Sequence, residues 1–71
     1  MQQQVEERIA NAFPGSKVDV SIDGNRAVLE VVSDSFVGMS RVQKQQAVYG
    51  CIEDLIADGS LHAVSIKALE P

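Results

Sequence analysis

The sequence contains one histidine, His62, and one cysteine, Cys51, the two residue types that most often donate nitrogen or sulfur to a metal. His62 begins an alternating apolar segment, where it could be a metal ligand, a proton-transfer group at a sheet edge or a partly buried structural histidine. With no second histidine, this chain alone cannot form a multi-histidine site. Cys51 lies on an apolar stripe between Val48 and Leu55, which predicts a small buried hydrophobe; a ligand role would require it to face His62.

Two cations form a second candidate feature. Arg41 and Lys44 lie in the first turn of a predicted helix, where the helix macrodipole disfavours positive charge. Residues 36–49 contain these two cations and no acid, although the whole chain has a net charge of −4. The pair is either a solvated face or a docking patch for an anionic partner. No phosphate-binding glycine loop, carboxylate pair or Ser/His/Asp grouping stands out, so the sequence predicts no enzyme.

The helix that carries Arg41 and Lys44 has clear end signals. Ser40 and Gln43 form an S-x-x-Q capping box, and Gly59 can adopt the left-handed conformation that ends a helix. Between them an apolar stripe recurs at three- and four-residue steps (Val48, Cys51, Ile52, Leu55 and Ile56). The pattern predicts one helix from Ser40 to Gly59, preceded by a short helical turn within residues 34–38. A strand over residues 61–68 follows, with His62, Val64 and Ile66 on one face.

The N-terminal half supplies the packing partner. An amphipathic helix, apolar at Val5, Ile9, Ala12 and Phe13, ends at Pro14-Gly15, and strict alternation from Lys17 predicts a strand. Asp23-Gly24 predicts a type I′ hairpin, and a second strand runs from about Arg26 to Val32. A two- or four-residue loop places the apolar residues of both strands on one face, whereas a three-residue loop would not. The predicted core contains nine residues: Val18, Val20, Leu29, Val31, Val48, Ile52, Leu55, Val64 and Ile66.

The order of elements predicts an α+β domain, αββααβ, with a three-stranded mixed sheet and helices on one face. Strands two and three, joined through a helix, should be parallel with a right-handed crossover. Seventy-one residues make one domain, 1–71, too small for a large substrate cavity. No apolar run is long enough to span a membrane, and residues 1–13 lack the features of a secretory signal. The lone cysteine fits a reducing cytoplasm, and the acidic balance argues against non-specific nucleic-acid binding.

Residues 31–71 resemble the C-terminal half of BolA-family proteins, especially the IbaG-like branch. The matching pieces are Ser33-Asp34 with Phe36, the run GMSRVQKQQAVYG at residues 38–50, the tract Ile56-Ala57-Asp58, HAVSIKA at residues 62–68, and the final Pro71.

This resemblance implies a BolA-like (type II KH-like) fold, a cytoplasmic bacterial protein, and partnership with a monothiol glutaredoxin. In such complexes a [2Fe–2S] cluster is shared between the two proteins with glutathione, and the family's C-terminal histidine, here His62, is a ligand. The resemblance also implies a DNA-binding and transcriptional role, linked to stress and cell morphology, through the KH-like helix-turn-helix region. The docking residues would be Gly38, Ser40, Arg41 and Lys44.

The sequence departs from the family pattern at one position. Alignment on Asp23-Gly24 places Arg26 where a second family ligand falls, and arginine cannot ligate iron. We therefore expect a cluster held more weakly than in a relative with both ligands. The preferred function is a non-catalytic glutaredoxin partner in iron–sulfur trafficking or iron homeostasis. The alternatives are a nucleic-acid-binding regulator and a simple adaptor without a cluster.

Overall fold

The computed structural model describes residues 1–71. Its elements are α1 (Gln2–Ala12), β1 (Lys17–Asp23), β2 (Arg26–Val32), a short 3-10 helix η1 (Asp34–Phe36), α2 (Arg41–Tyr49), α3 (Glu53–Ala57) and β3 (Ala63–Leu69). None of the α-helices combines the length and the apolar character that crossing a bilayer requires.

The three strands form one mixed sheet in the order β1-β2-β3. β1 and β2 are antiparallel and β2 and β3 are parallel, which confirms the predicted strand directions. Val20 faces Leu29, the register predicted for the four-residue loop. The pairing nevertheless continues to Asp23 and Arg26, so only Gly24 and Asn25 form the turn. Gly24 has φ 61°, whereas Asn25, like every residue other than glycine, does not have positive φ. Positive φ at the first central residue alone is typical of a type II′ turn, so the predicted type I′ turn is wrong.

The helices and the 3-10 turn cover one face of the sheet and enclose the core. Twelve apolar residues are buried there, including six of the nine predicted core residues, and the other three, Val18, Val64 and Ile66, pack against them half-buried. Phe13 and Phe36 join the two halves of the chain with ring centroids 5.1 Å apart. The opposite sheet face is open to solvent, as the 56% exposure of Val28 at its centre indicates.

The single helix predicted from Ser40 to Gly59 is wrong. The helical path breaks after Gly50, and Ile52 has φ −124° and ψ 12°, so α2 and α3 are separate helices. The break redirects the chain so that Val48, before it, and Ile52, within it, are both fully buried. The order αββααβ is retained, with α2 and α3 as the helix pair and η1 as the lead-in.

Hydrogen bonds fix the start of α2 and the break between α2 and α3. The capping box is confirmed: the Gln43 N–H donates to Ser40 Oγ at 3.1 Å, and the Ser40 N–H donates to Gln43 Oε1 at 2.8 Å. At the break, Arg8 of α1 donates to the Cys51 carbonyl at 3.4 Å and forms an ion pair with Asp54 of α3. Arg8 therefore connects α1 to the turn that the sequence pattern did not predict.

Candidate functional site

The start of β3 is held by backbone hydrogen bonds on both sides of His62. The buried Leu61 donates its N–H to the Leu55 carbonyl at 3.1 Å. The N–H groups of His62 and Ala63 both donate to the Asn25 carbonyl, at 2.8 and 3.3 Å. The strand consequently begins at Ala63, two residues later than predicted, because Leu61 bonds back to α3 instead of to β2. His62 lies at the corner between the hairpin turn and the strand.

The imidazole of His62 is exposed at this corner. Neither ring nitrogen makes a hydrogen bond within the chain. The ring lies beside Gly59, where a built Cβ would be 3.9 Å from Nε2, an ordinary van der Waals distance. A neutral imidazole with no internal acceptor or donor can offer a ring nitrogen to a metal. The backbone therefore fixes the position of His62 while its side chain stays available.

Arg26 lies next to this corner, but its side chain leaves from the other face of the sheet. Arg26 pairs with Ala63, and both are exposed on the open face, whereas Ala27 is buried under the helices. Because side chains alternate between the two faces of a strand, His62 lies on the helix side of the sheet, next to Gly59. The residue across from His62 is Asn25, in the hairpin turn. The structure therefore brings the Arg26 and His62 backbones together but not their side chains.

Cys51 belongs to a different part of the molecule. It lies in the turn between α2 and α3, packed half-buried against the core, and its thiol donates to the Ala47 carbonyl at 3.6 Å. Burial raises the pKa of the Cys51 thiol, which keeps it protonated and weakly nucleophilic. These contacts fit the prediction of a small hydrophobe, and they direct the thiol along α2 rather than toward β3.

The number of side chains available as metal ligands limits what this chain can bind by itself. No three His, Cys, Asp or Glu side chains are arranged to hold a metal ion. The chain offers one free imidazole, while a [2Fe–2S] cluster needs about four ligands. These residues fit a cluster whose other ligands come from another molecule, and they do not fit a resident cluster held by this chain alone.

The predicted docking residues surround the start of α2. Gly38 has φ +85° in the loop before the helix, and Ser40 is its N-cap. Arg41 and Lys44 line a groove between α2 and β3 that also contains Lys67. Sequence reasoning missed Lys67, because only the position of β3 beside α2 brings it to the same groove.

A family model supplies the link to known proteins. The model for BolA-like protein matches residues 11–71. The chain belongs to the BolA family. A relative in Escherichia coli strain K12, named acid stress protein IbaG, is 46% identical over 68 residues, which cover 96% of this chain and 81% of that protein.

Solved BolA structures have the same fold as this BolA-family chain. The BolA domain of SufE1 from Arabidopsis thaliana superposes with a TM-score of 0.89 and 26% identity, over 99% of this chain and 91% of that one. BolA1 from the same plant gives a TM-score of 0.88 over 99% and 90% of the two chains. At 22% identity, the second match bears on the fold alone. The predicted α+β, BolA-like fold and family are thus confirmed.

Proposed function

We propose that this BolA-family chain is a non-catalytic partner of a monothiol glutaredoxin in iron–sulfur cluster trafficking and iron homeostasis. The observation that carries the proposal is the exposed His62 imidazole, whose backbone is fixed at the start of β3 and whose ring nitrogens are unpaired. The cluster is cargo that the two proteins share, and His62 donates one ligand to it. The glutaredoxin and glutathione thiols donate the others.

The limited donor set supports a shared cluster over a resident one. With one ligand from this chain, the cluster can form only when a second protein approaches the hairpin turn and the start of β3. His62 and Gly59 leave that corner open, because neither is covered by another element. The chain thereby acts as an adaptor that completes a metal site without reacting itself.

A stress-related role in the bacterial cytoplasm is part of the same proposal. It rests on family membership and on the name of the Escherichia coli relative, an acid stress protein. Iron–sulfur clusters are sensitive to oxidation and acid, so their supply and sensing give such a role a physical basis.

The nucleic-acid alternative receives less support from the charge distribution. Binding to a duplex at physiological salt depends on cations that neutralise several phosphates. Arg41 and Lys44 are joined by Lys67 alone in their groove, and the net charge of the chain is −4. We therefore expect weak duplex binding and propose no DNA-dependent function.

Anaerobic reconstitution with a monothiol glutaredoxin, glutathione, ferric iron and sulfide tests the proposed function. Size-exclusion chromatography with visible absorption should give one peak that contains both polypeptides and a [2Fe–2S] spectrum. If all the colour elutes with the glutaredoxin and this chain elutes alone, the proposal is wrong. A colourless complex of the two proteins would favour the simple adaptor.

A further inference from the structure

The outer edge of β3 presents unpaired backbone groups. β3 is the last strand of the sheet and pairs only with β2. The Ala63 N–H bonds to the Asn25 carbonyl and the Leu69 carbonyl accepts from the Ser33 N–H, so the odd-numbered residues of β3 point toward β2. In a parallel strand the alternate residues point their N–H and C=O groups the other way. The outward set is Val64, Ile66 and Ala68.

One side chain already occupies part of this edge. Gln45 of α2 donates from Nε2 to the Ile66 carbonyl at 2.7 Å, which confirms that this carbonyl points away from β2. An amide N–H of an added strand would occupy the same acceptor. No other side chain bonds to the outward groups of β3. Exposed edges of this kind are usually blocked or covered, because they can pair with another chain.

The groove beside this edge is strongly cationic for an acidic protein. Its lining contains Arg41, Lys44 and Lys67, three of the six Lys and Arg residues of the chain, and no acidic residue. None of the three forms a salt bridge, since the single ion pair of the molecule joins Arg8 to Asp54. The apolar part of the lining is Ile66, Ala68 and Leu69. The groove therefore combines unpaired cations with a free strand edge.

We propose that the groove between α2 and β3 binds an extended acidic segment of another protein, which adds a fourth strand to the β3 edge. Strand addition uses main-chain hydrogen bonds for affinity and side-chain contacts for specificity. Lys67 lies on the open face of the sheet, whereas Arg41 and Lys44 lie on the helix side. Acidic residues on either face of the added strand would therefore meet a cation, and Gln45 gives up its bond to Ile66 when the segment binds.

The charges favour this occupant over a second copy of the chain. Lys67 is the only charged residue of β3, so pairing two β3 edges would bring like charges together. A nucleic acid could contact the cations but has no alternating amide and carbonyl groups to pair with the edge. An acidic peptide satisfies both features of the groove.

Titration with a blocked seven-residue threonine peptide, the length of β3, that has glutamate at its three central positions and so carries acids on both faces of an added strand, tests the proposal. Amide resonances of Val64, Ile66 and Ala68 should shift in ¹H–¹⁵N spectra. Lys44→Gln and Lys67→Gln should each weaken binding about two- to fivefold, the range for exposed ion pairs. Lys17→Gln is the matched control, because Lys17 is an exposed lysine on the other edge strand, and it should change nothing.

A second peptide tests strand pairing itself. N-methylation of the alternate amides that face β3 should weaken binding about tenfold, since two or three backbone hydrogen bonds are lost. Unchanged affinity of that peptide, or equal weakening by Lys17→Gln, would overturn the proposal. So would tighter binding of a seven-nucleotide oligothymidylate that depends on Lys44 and Lys67. His62→Ala should leave peptide binding intact, which separates this groove from the proposed cluster site.

Discussion

At the start of β3, hydrogen bonds hold the backbone of His62 in place while its imidazole stays exposed and unpaired. The backbone N–H of His62 is bonded to Asn25 at 2.8 Å, whereas the imidazole has no partner inside the chain. Cys51 shows the contrasting arrangement, because its thiol is half-buried and its pKa is raised by desolvation. Of the histidine and the cysteine, only the histidine has an exposed side chain without a hydrogen-bond partner.

The absent second ligand gives a prediction at the residue scale. Asn25 lies across from His62, while the Arg26 side chain leaves from the opposite face of the sheet. We expect Asn25→His to slow loss of a reconstituted shared cluster more than Arg26→His does, because residue 25 is bonded directly to the His62 backbone, whereas the Arg26 side chain leaves from the open face. The measurement is the decay of visible absorption in the presence of an iron chelator. Greater retention with Arg26→His would contradict the assignment of faces and favour the sequence alignment.

At the scale of elements, the features that depend on neighbouring residues in the sequence could be predicted from it. Strand alternation predicted that the apolar residues of β1 and β2 share one face, although it left two registers open, and Ser40 with Gln43 predicted the helix start. The break between α2 and α3 was missed because the apolar stripe runs through it without interruption. Gly50 was the available signal, since glycine within a helix costs about 1 kcal/mol relative to alanine. The contact of Arg8 with the Cys51 carbonyl joins residues far apart in the sequence, so no local pattern could reveal it.

The capping box gives a stability prediction. Ser40→Ala removes the acceptor for the Gln43 N–H and should lower the free energy of unfolding by about 1 kcal/mol. Urea denaturation followed by circular dichroism measures the change. Ser65→Ala, an exposed serine in β3 without a side-chain hydrogen bond, is the control and should have a much smaller effect. Equal effects of the two substitutions would show that the cap adds no stability.

The link between α1 and α3 gives a pH prediction. The hydrogen bond from Arg8 lowers the pKa of Asp54 below its usual value, with the Arg8 charge acting in the same direction. A carboxyl whose pKa is lower in the folded state stabilises the fold above its unfolded pKa of about 3.9 and loses that contribution as the pH falls through the folded pKa. Asp54→Asn should therefore be less stable than wild type at neutral pH, with the difference closing in acid.

Urea midpoints measured across this pH range test the link, and Arg8→Met should reproduce the same pH dependence. A difference between Asp54→Asn and wild type that stays constant from neutral to acid pH would show that the ion pair is not its source. The effect should be small, because the Asp54 side chain is 65% exposed.

At the scale of the whole molecule, a single core joins all the elements that position the corner at His62. Leu55 of α3 is 5% exposed within it. Leu55→Ala should cost about 2–5 kcal/mol, a large share of the stability of so small a domain. Chemical denaturation measures the loss, with Val28→Ala on the open sheet face as the control. A loss below about 1 kcal/mol for Leu55→Ala would contradict its place in the core.

The surfaces depend on the whole fold in a way that the core does not. The core residues could be predicted from periodicity, because burial follows the local alternation of apolar positions. The cationic groove could not, since Lys67 reaches Arg41 and Lys44 only once β3 pairs beside β2 and α2 packs over it. The position of Asn25 across from His62 likewise requires the parallel pairing of β2 and β3, which only the complete topology provides.

Direct detection of histidine ligation tests the central claim. The mixed cluster, reconstituted with a monothiol glutaredoxin and glutathione and then reduced, should show nitrogen hyperfine coupling in pulsed electron paramagnetic resonance. With ¹⁵N-histidine in this chain alone, the coupling should change to that of ¹⁵N, and it should vanish with His62→Ala but persist with Cys51→Ser. A spectrum of the mixed cluster that is the same for wild type and His62→Ala would contradict the claim that His62 binds the iron.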